Sequence, residues 1–218
     1  MKAIIFGATG MIGQGVLREC LLDDSVESVL VIGRSETGQR HKKLREILHV
    51  DFLDFSAIES ELAGHDACFF CLGVSSSGMT EQDYRRITYD YTLAAAKALV
   101  KCSPDMTFIY ISGAGTDSTE RGRTMWARVK GETENALLKL PFKAAYMFRP
   151  GFIQPMHGSV SRTKLYRVVY GILRPLFPVL RRFPKYVTTT EQLALAMIKV
   201  ARQGSDKPLL ENADINRI

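Results

Sequence analysis

Lys2-Ala3-Ile4-Ile5-Phe6-Gly7-Ala8-Thr9-Gly10-Met11-Ile12-Gly13 opens the chain with an apolar run stopped by three glycines, each three residues from the next. The run has the length of one strand. Beyond it Ile12, Val16, Leu17, Cys20 and Leu21 recur at helical spacing on one face, so the glycines occupy a strand-to-helix turn. Each glycine has its own role there. Gly7 allows the tight turn, Gly10 lets the backbone approach a phosphate, and Gly13 lets helix and strand pack closely. Free N–H groups and the dipole at the start of such a helix favour negative charge. The turn residues Gly7, Thr9, Gly10, Met11, Ile12 and Gly13 therefore read as the cradle of a dinucleotide pyrophosphate.

Working outward, apolar strand-like runs alternate with helical patterns as far as residue 150. Strands are expected at 28–32, 48–50, 67–71, 106–111 and 144–148. A long fourth helix carries Tyr84, Ile87, Tyr91, Ala94, Ala95, Ala98 and Leu99 on one face. Another runs over about 124–140, stopped by Pro141, with Val129, Thr133, Ala136, Leu137 and Leu140 inward. This alternation is the form of an α/β protein with a doubly wound parallel sheet, the Rossmann arrangement. After Pro150 the alternation weakens, and 160–187 reads as an irregular, lid-like region laid over the sheet. Thr188, with Glu191 three residues later, opens a last helix facing inward through Leu193, Ala194, Met197, Ile198 and Ala201. One domain spanning 1–218 is expected.

Composition narrows the function classes. The 218 residues are 46% hydrophobic and 24% charged, which speaks against disorder. The opening run is too short and too soon broken for a signal peptide or a membrane span, so a cytoplasmic protein is expected. The net charge of +6 is spread along the chain rather than interleaved with aromatics, so no nucleic-acid partner is expected, and an anionic cofactor accounts for part of the excess. Cys20, Cys68, Cys71 and Cys102 sit in apolar segments as small buried hydrophobes. Cys68 and Cys71 have the spacing of a metal or redox pair, but in a strand residues three apart point to opposite faces, and no metal is expected.

At the end of the second strand, where a dinucleotide site usually places an acid to hold the adenosine ribose, the chain reads Ile32-Gly33-Arg34. Arginine cannot accept those hydrogen bonds but pairs with a 2′-phosphate, so NADP(H) is expected over NAD(H). Asp51 and Phe52 are placed to border the adenine. With GATGMIG at 7–13, IGR at 32–34, GHDACFFCLG at 64–73, ISGAG at 111–115, VKGETE at 129–134 and FRPG at 148–151, the chain resembles the extended and atypical short-chain dehydrogenase/reductase superfamily. Within it the nearest likeness is to the Tat-interacting-protein type of NADPH-binding oxidoreductase, and it extends over nearly the whole chain. The resemblance implies that Cys71, Leu72 and Gly73 lie beside the cofactor. It makes Ser112 the hydroxyl that orients a substrate carbonyl, and Lys130 the lysine that holds the nicotinamide ribose and activates a tyrosine. Arg149, Pro150 and Gly151 then form the turn bordering the nicotinamide.

The chain departs from the family pattern Tyr-x-x-x-Lys, because it reads Trp126-Ala127-Arg128-Val129-Lys130. An indole N–H donates a hydrogen bond but does not ionise usefully, so the ordinary proton relay is missing. Two classes of function follow. One is an oxidoreductase or epimerase/dehydratase-like enzyme that moves its proton through another group, with Tyr110, Tyr89 or a C-terminal tyrosine as candidates. The other is a catalytically silent, cofactor-dependent regulatory or binding protein. Trp126 itself is expected to stack over the nicotinamide or close the pocket. Residues 165–178 are amphipathic, but Pro175 and Pro178 interrupt them. A pocket wall or a subunit contact, as in a homodimer, fits them better than a peripheral membrane surface.

Overall fold

The computed structural model describes residues 1–159 and 183–218. Its strands are β1 (Lys2–Phe6), β2 (Ser28–Gly33), β3 (Leu44–Leu48), β4 (Ala67–Phe70), β5 (Thr107–Ile111), β6 (Ala144–Arg149), β7 (Phe152–Gln154), β8 (Val187–Thr189) and β9 (Leu209–Glu211). The helices are α1 (Met11–Leu22), α2 (Glu81–Arg85), α3 (Tyr91–Cys102), α4 (Met125–Leu137), α5 (Thr190–Gln203) and α6 (Asn212–Ile215). Seven strands form one parallel sheet in the order β3-β2-β1-β4-β5-β6-β9, and β7 pairs with β8 apart from it. The doubly wound parallel sheet expected from the alternation is the one observed.

Strand alternation divides the core into two halves. Ala3 and Ile5 of β1 join Val16, Leu17, Leu193 and Met197 on the face covered by α1 and α5. Ile4 and Phe6 join Leu93, Leu99 and Leu137 on the face covered by α3 and α4. Covered on both faces, β1 and β4 tolerate no polar residue beyond Lys2, which is why they read as unbroken apolar runs. Gly15 matters here: a Cβ on it would stand 2.9 Å from the Thr190 side chain, so α1 and α5 pack at a distance a larger residue would forbid. Cys68 and Cys71 contribute to opposite halves of the core.

Several expectations shift. The third strand lies at Leu44–Leu48, not 48–50: β3 is an edge strand, so Arg45 and Glu46 are allowed in it, while the more apolar Val50 is exposed. The cap of α5 is Thr189, which accepts from Gln192 N at 3.0 Å, and Thr188 instead donates to Asn216 Oδ1 at 2.7 Å. The long fourth helix is one continuous rod from Glu81 to Cys102 with a π-helical turn at Arg86–Asp90. The added residue per turn rotates the inward stripe, so Thr88, Thr92 and Ala96 are buried while Ile87, Tyr91 and Ala94 are only partly so. Most of the lid-like 160–187 segment, including the membrane candidate at 165–178, lies outside the described residues.

Candidate functional site

In the sheet order, β1 stands between β2 and β4, so successive crossovers leave it in opposite directions and a crevice opens beyond the carboxyl ends of β1 and β4. Two hollows occupy that crevice. One is lined by Gly7, Thr9, Gly10, Arg34, Phe52 and Leu72 among others, and the second, of about 400 Å³, by Met11, Ile12, Val74, Ser112, Lys130 and Gly151 with their neighbours. They share Gly10, Cys71, Leu72 and Gly73 and so make one groove across the top of the sheet.

The glycine turn is built for close approach. Gly7 has φ +77°, and a Cβ on it would lie 2.6 Å from Leu72 N, so the turn touches the chain leaving β4 backbone to backbone. A Cβ on Gly13 would collide with the Gly7 carbonyl, in the turn that follows β1. Gly10 lines both hollows with no side chain to fill them. No side chain caps α1 and its first turn carries no acid, whereas α5 has both Thr189 and Glu191. The start of α1 is thus kept open to an anion, and the groove fits the pyrophosphate of a dinucleotide.

At the other end of the groove Ser112, just past β5, donates its hydroxyl to Phe148 O at 3.1 Å. Turning that hydroxyl toward a carbonyl in the cavity requires giving up this bond. Lys130 reaches from α4 to donate to Ile111 O at 3.2 Å, 5.3 Å from the centre of the Tyr110 ring. Burial pulls its ammonium down to about 8, against the opposing attraction of Glu134 one helical turn along. Unfolding returns the group to its ordinary 10.5, so between those values the unfolded chain binds the extra proton and stability rises with pH. At pH 7 the buried charge is therefore a cost. Lys130→Met is expected to resist urea better than the wild type at pH 7, with the advantage shrinking from pH 8 to pH 10. A variant less stable at pH 7 would mean that the ammonium's contacts outweigh its desolvation.

Not every residue suggested by the sequence reaches the groove. Arg149 turns its guanidinium inward to Glu134 on α4, Ser118 and Glu211 and does not line the groove; Glu134 is completely buried and accepts from two nitrogens of that guanidinium. Pro150 contributes a carbonyl that accepts from Ala114 N at 2.8 Å and does not line the cavity, though Gly151 does. Asp51 is exposed and accepts from Leu53 N at 2.9 Å, leaving Phe52 alone at the groove. Trp126 is half-buried, with its ring edge 3.6 Å from where a Cβ on Gly115 would sit, and lines neither hollow. Tyr110 is buried below the groove with its hydroxyl raised well above 10 by burial, and Tyr89 lies under the Arg85 guanidinium at 4.1 Å. Neither lines the cavity.

Val74, Ser75, Phe152 and Ile153 line it and were not anticipated. Their signal was continuity: two of them follow Gly73 and two follow Gly151, each pair directly after the last residue of a motif.

The model of a family described as NAD(P)H-binding matches residues 7–139. The chain belongs to that family. The match runs from the glycine turn through α4, the span that supplies all of the groove but its last wall at Gly151–Ile153. Among relatives of this NAD(P)H-binding chain, Protein HTATIP2 of Rattus norvegicus is 29% identical over 154 residues, 70% of this chain and 62% of that protein. Protein FMP52, mitochondrial, of Eremothecium gossypii is 27% identical over 224 residues, 99% of this chain and 96% of that one. A short-chain dehydrogenase family protein from Francisella tularensis superposes with a TM-score of 0.67 at 15% identity, covering 96% of this chain and 95% of its own. Bordetella bronchiseptica WbmF, in complex with NAD+, superposes at 0.69 and 13% identity over 99% and 76%. At such identities the structural likeness shows the fold. The family match makes the chain an NAD(P)H-binding protein whose cofactor is a nicotinamide dinucleotide.

Proposed function

We propose that the protein is an NADP(H)-dependent oxidoreductase of short-chain dehydrogenase type in which cofactor binding is intact and the ordinary tyrosine relay is replaced. The observation that carries this reading is one continuous groove with Arg34 at one end and Ser112 and Lys130 at the other. Backbone N–H groups at the start of α1 hold the pyrophosphate, Arg34 pairs with the 2′-phosphate, and Phe52 backs the adenine. When bound, the dihydronicotinamide supplies hydride. Ser112 orients the acceptor carbonyl, and the Lys130 ammonium, desolvated in the cavity, offsets negative charge that builds on its oxygen. A catalytically silent regulator would be favoured by an indole filling the cavity, and Trp126 lies outside it.

The cofactor preference follows from Arg34. Fluorescence titration is expected to give tighter binding of NADPH than of NADH. Arg34→Ala should weaken NADPH by about 1–3 kcal/mol, the worth of a charge-assisted contact, and leave NADH nearly unchanged. Equal affinities in the wild type, or a preference that survives the substitution, would remove Arg34 from the role.

A further inference from the structure

We infer that Arg149 is a positioning residue for the cavity: by holding the Glu134 carboxylate on its guanidinium it keeps that carboxylate off Lys130, whose ammonium stays turned to the groove. The inference rests on the oxidoreductase reading above, which gives Lys130 its task there, and deepens it by naming what leaves that side chain free.

Lys130 and Glu134 stand one turn apart on α4, the spacing at which a lysine and a glutamate pair along a helix. The pair that forms is a different one. Lys130 donates to Ile111 O at 3.2 Å, while Glu134 accepts from Arg149 Nε at 3.0 Å and, on its other oxygen, from Arg149 Nη2. A guanidinium meets a carboxylate fork to fork and an ammonium meets it as a point charge, so a buried carboxylate offered both cations goes to the arginine. Two of the three Lys130 ammonium protons are then left for the cavity, which this side chain lines.

The groups around the ammonium make its placement depend on Arg149. Tyr110 of β5 lies with its ring centre 5.3 Å away and its hydroxyl raised well above 10 by burial, and Cys71, just past β4, lines the same cavity with its thiol pushed up to about 12. Both are neutral at pH 7. Arg149 reaches Glu134 from β6, and its second carboxylate partner, Glu211 of β9, is exposed. Glu134 is thus the carboxylate whose charge is felt at Lys130, opposing the burial that pulls the ammonium down to about 8. Without Arg149 this fully buried carboxylate has Lys130 as the cation one turn away, and the ammonium swings along the helix to meet it. The cavity then loses its cation.

Titration of Lys130 reads this arrangement without cofactor or turnover. In protein labelled with 13C-lysine, the Lys130 Cε resonance, assigned by its loss in Lys130→Arg, is expected to titrate near 8 in the wild type. In Arg149→Met the midpoint should rise by at least about one pH unit, the effect of a carboxylate brought against an ammonium. NADPH affinity should fall about tenfold or more, the worth of a hydrogen bond from a charged group. Arg149→Met combined with Glu134→Leu controls for the loss of the arginine's own charge, and it should return the midpoint to about 8 or below and restore NADPH binding. Arg149→Lys, which grips one oxygen where arginine grips two, should fall between and carries the test if the methionine variant does not fold. A folded Arg149 variant whose Lys130 titrates as in the wild type, or a double variant whose midpoint stays raised, would overturn the inference. A midpoint that moves as expected in a protein whose Lys130→Met variant binds NADPH as tightly as the wild type would uphold it and bring down the reading of Lys130 as part of the cofactor site instead.

Discussion

Trp126→Tyr is expected to gain NADPH-dependent reduction of simple saturated ketones by about a hundred- to ten-thousand-fold over the wild type, the range general acid assistance commonly supplies. Position 126 lies one turn before Lys130 on α4, so a phenol there shares the helical face that delivers the ammonium to the groove. The ring it replaces packs by Gly115. A phenol beside the Lys130 ammonium has its own pKa drawn down, which the indole cannot match. Lys130→Ala in the Trp126→Tyr background should then remove the gain. Single-turnover decay of the bound dihydronicotinamide reads both variants. Robust ketone reduction by the wild type, or no gain in a variant that still binds NADPH, would show that the tyrosine's absence is not what limits the chemistry.

The second large effect is structural. Arg149 on β6 is bound to Glu134 on α4, to Ser118 in the loop after β5 and to Glu211 on β9, so one guanidinium ties together the helix that carries Lys130, a sheet strand and the loop beside Trp126. Glu134 is fully buried, and removing its partner leaves an uncompensated carboxylate. Breaking such a pair costs about 3–5 kcal/mol. Arg149→Ala is accordingly expected to lower the melting temperature by on the order of 10 °C in a domain of this size. Replacing both partners together, Arg149→Met with Glu134→Leu, should recover most of the loss, because an apolar pair of similar volume carries no desolvation penalty. A single variant as stable as the wild type would mean that Glu134 finds another cation, with Lys130 one turn away the first to examine.

Much of this fold was legible because covered parallel strands must be apolar on both faces, and β1, β4 and β5 announce themselves by composition alone. The edge strand β3 was misplaced for the same reason: exposed on one side, it carries Arg45 and Glu46 and lacks the apolar run that marks its neighbours. The π-turn at Arg86–Asp90 leaves no mark in a 3.6-residue pattern; it only rotates the stripe beyond it. At the site, backbone-determined roles were readable, since Gly7 and Gly13 are dictated by close approach wherever this turn occurs. Side-chain direction was not. Arg149 and Trp126 sit at the positions the motifs assigned, yet each points away from the groove, one toward a buried carboxylate and the other toward a glycine. Both partners lie in quoted motifs, Glu134 in VKGETE and Gly115 in ISGAG, but no local pattern reports which side chain turns to them.

Hydrogen–deuterium exchange with and without NADPH tests most directly whether one dinucleotide spans the groove from Arg34 to Lys130. Slower exchange is expected in both halves at once: the glycine turn at 7–13 with residues 33–35 at the adenosine end, and 71–75, 111–113 and 151–153 at the nicotinamide end. Protection confined to one half, or appearing instead at the separate hollow lined by Met156, Thr188 and Gln192, would contradict the account.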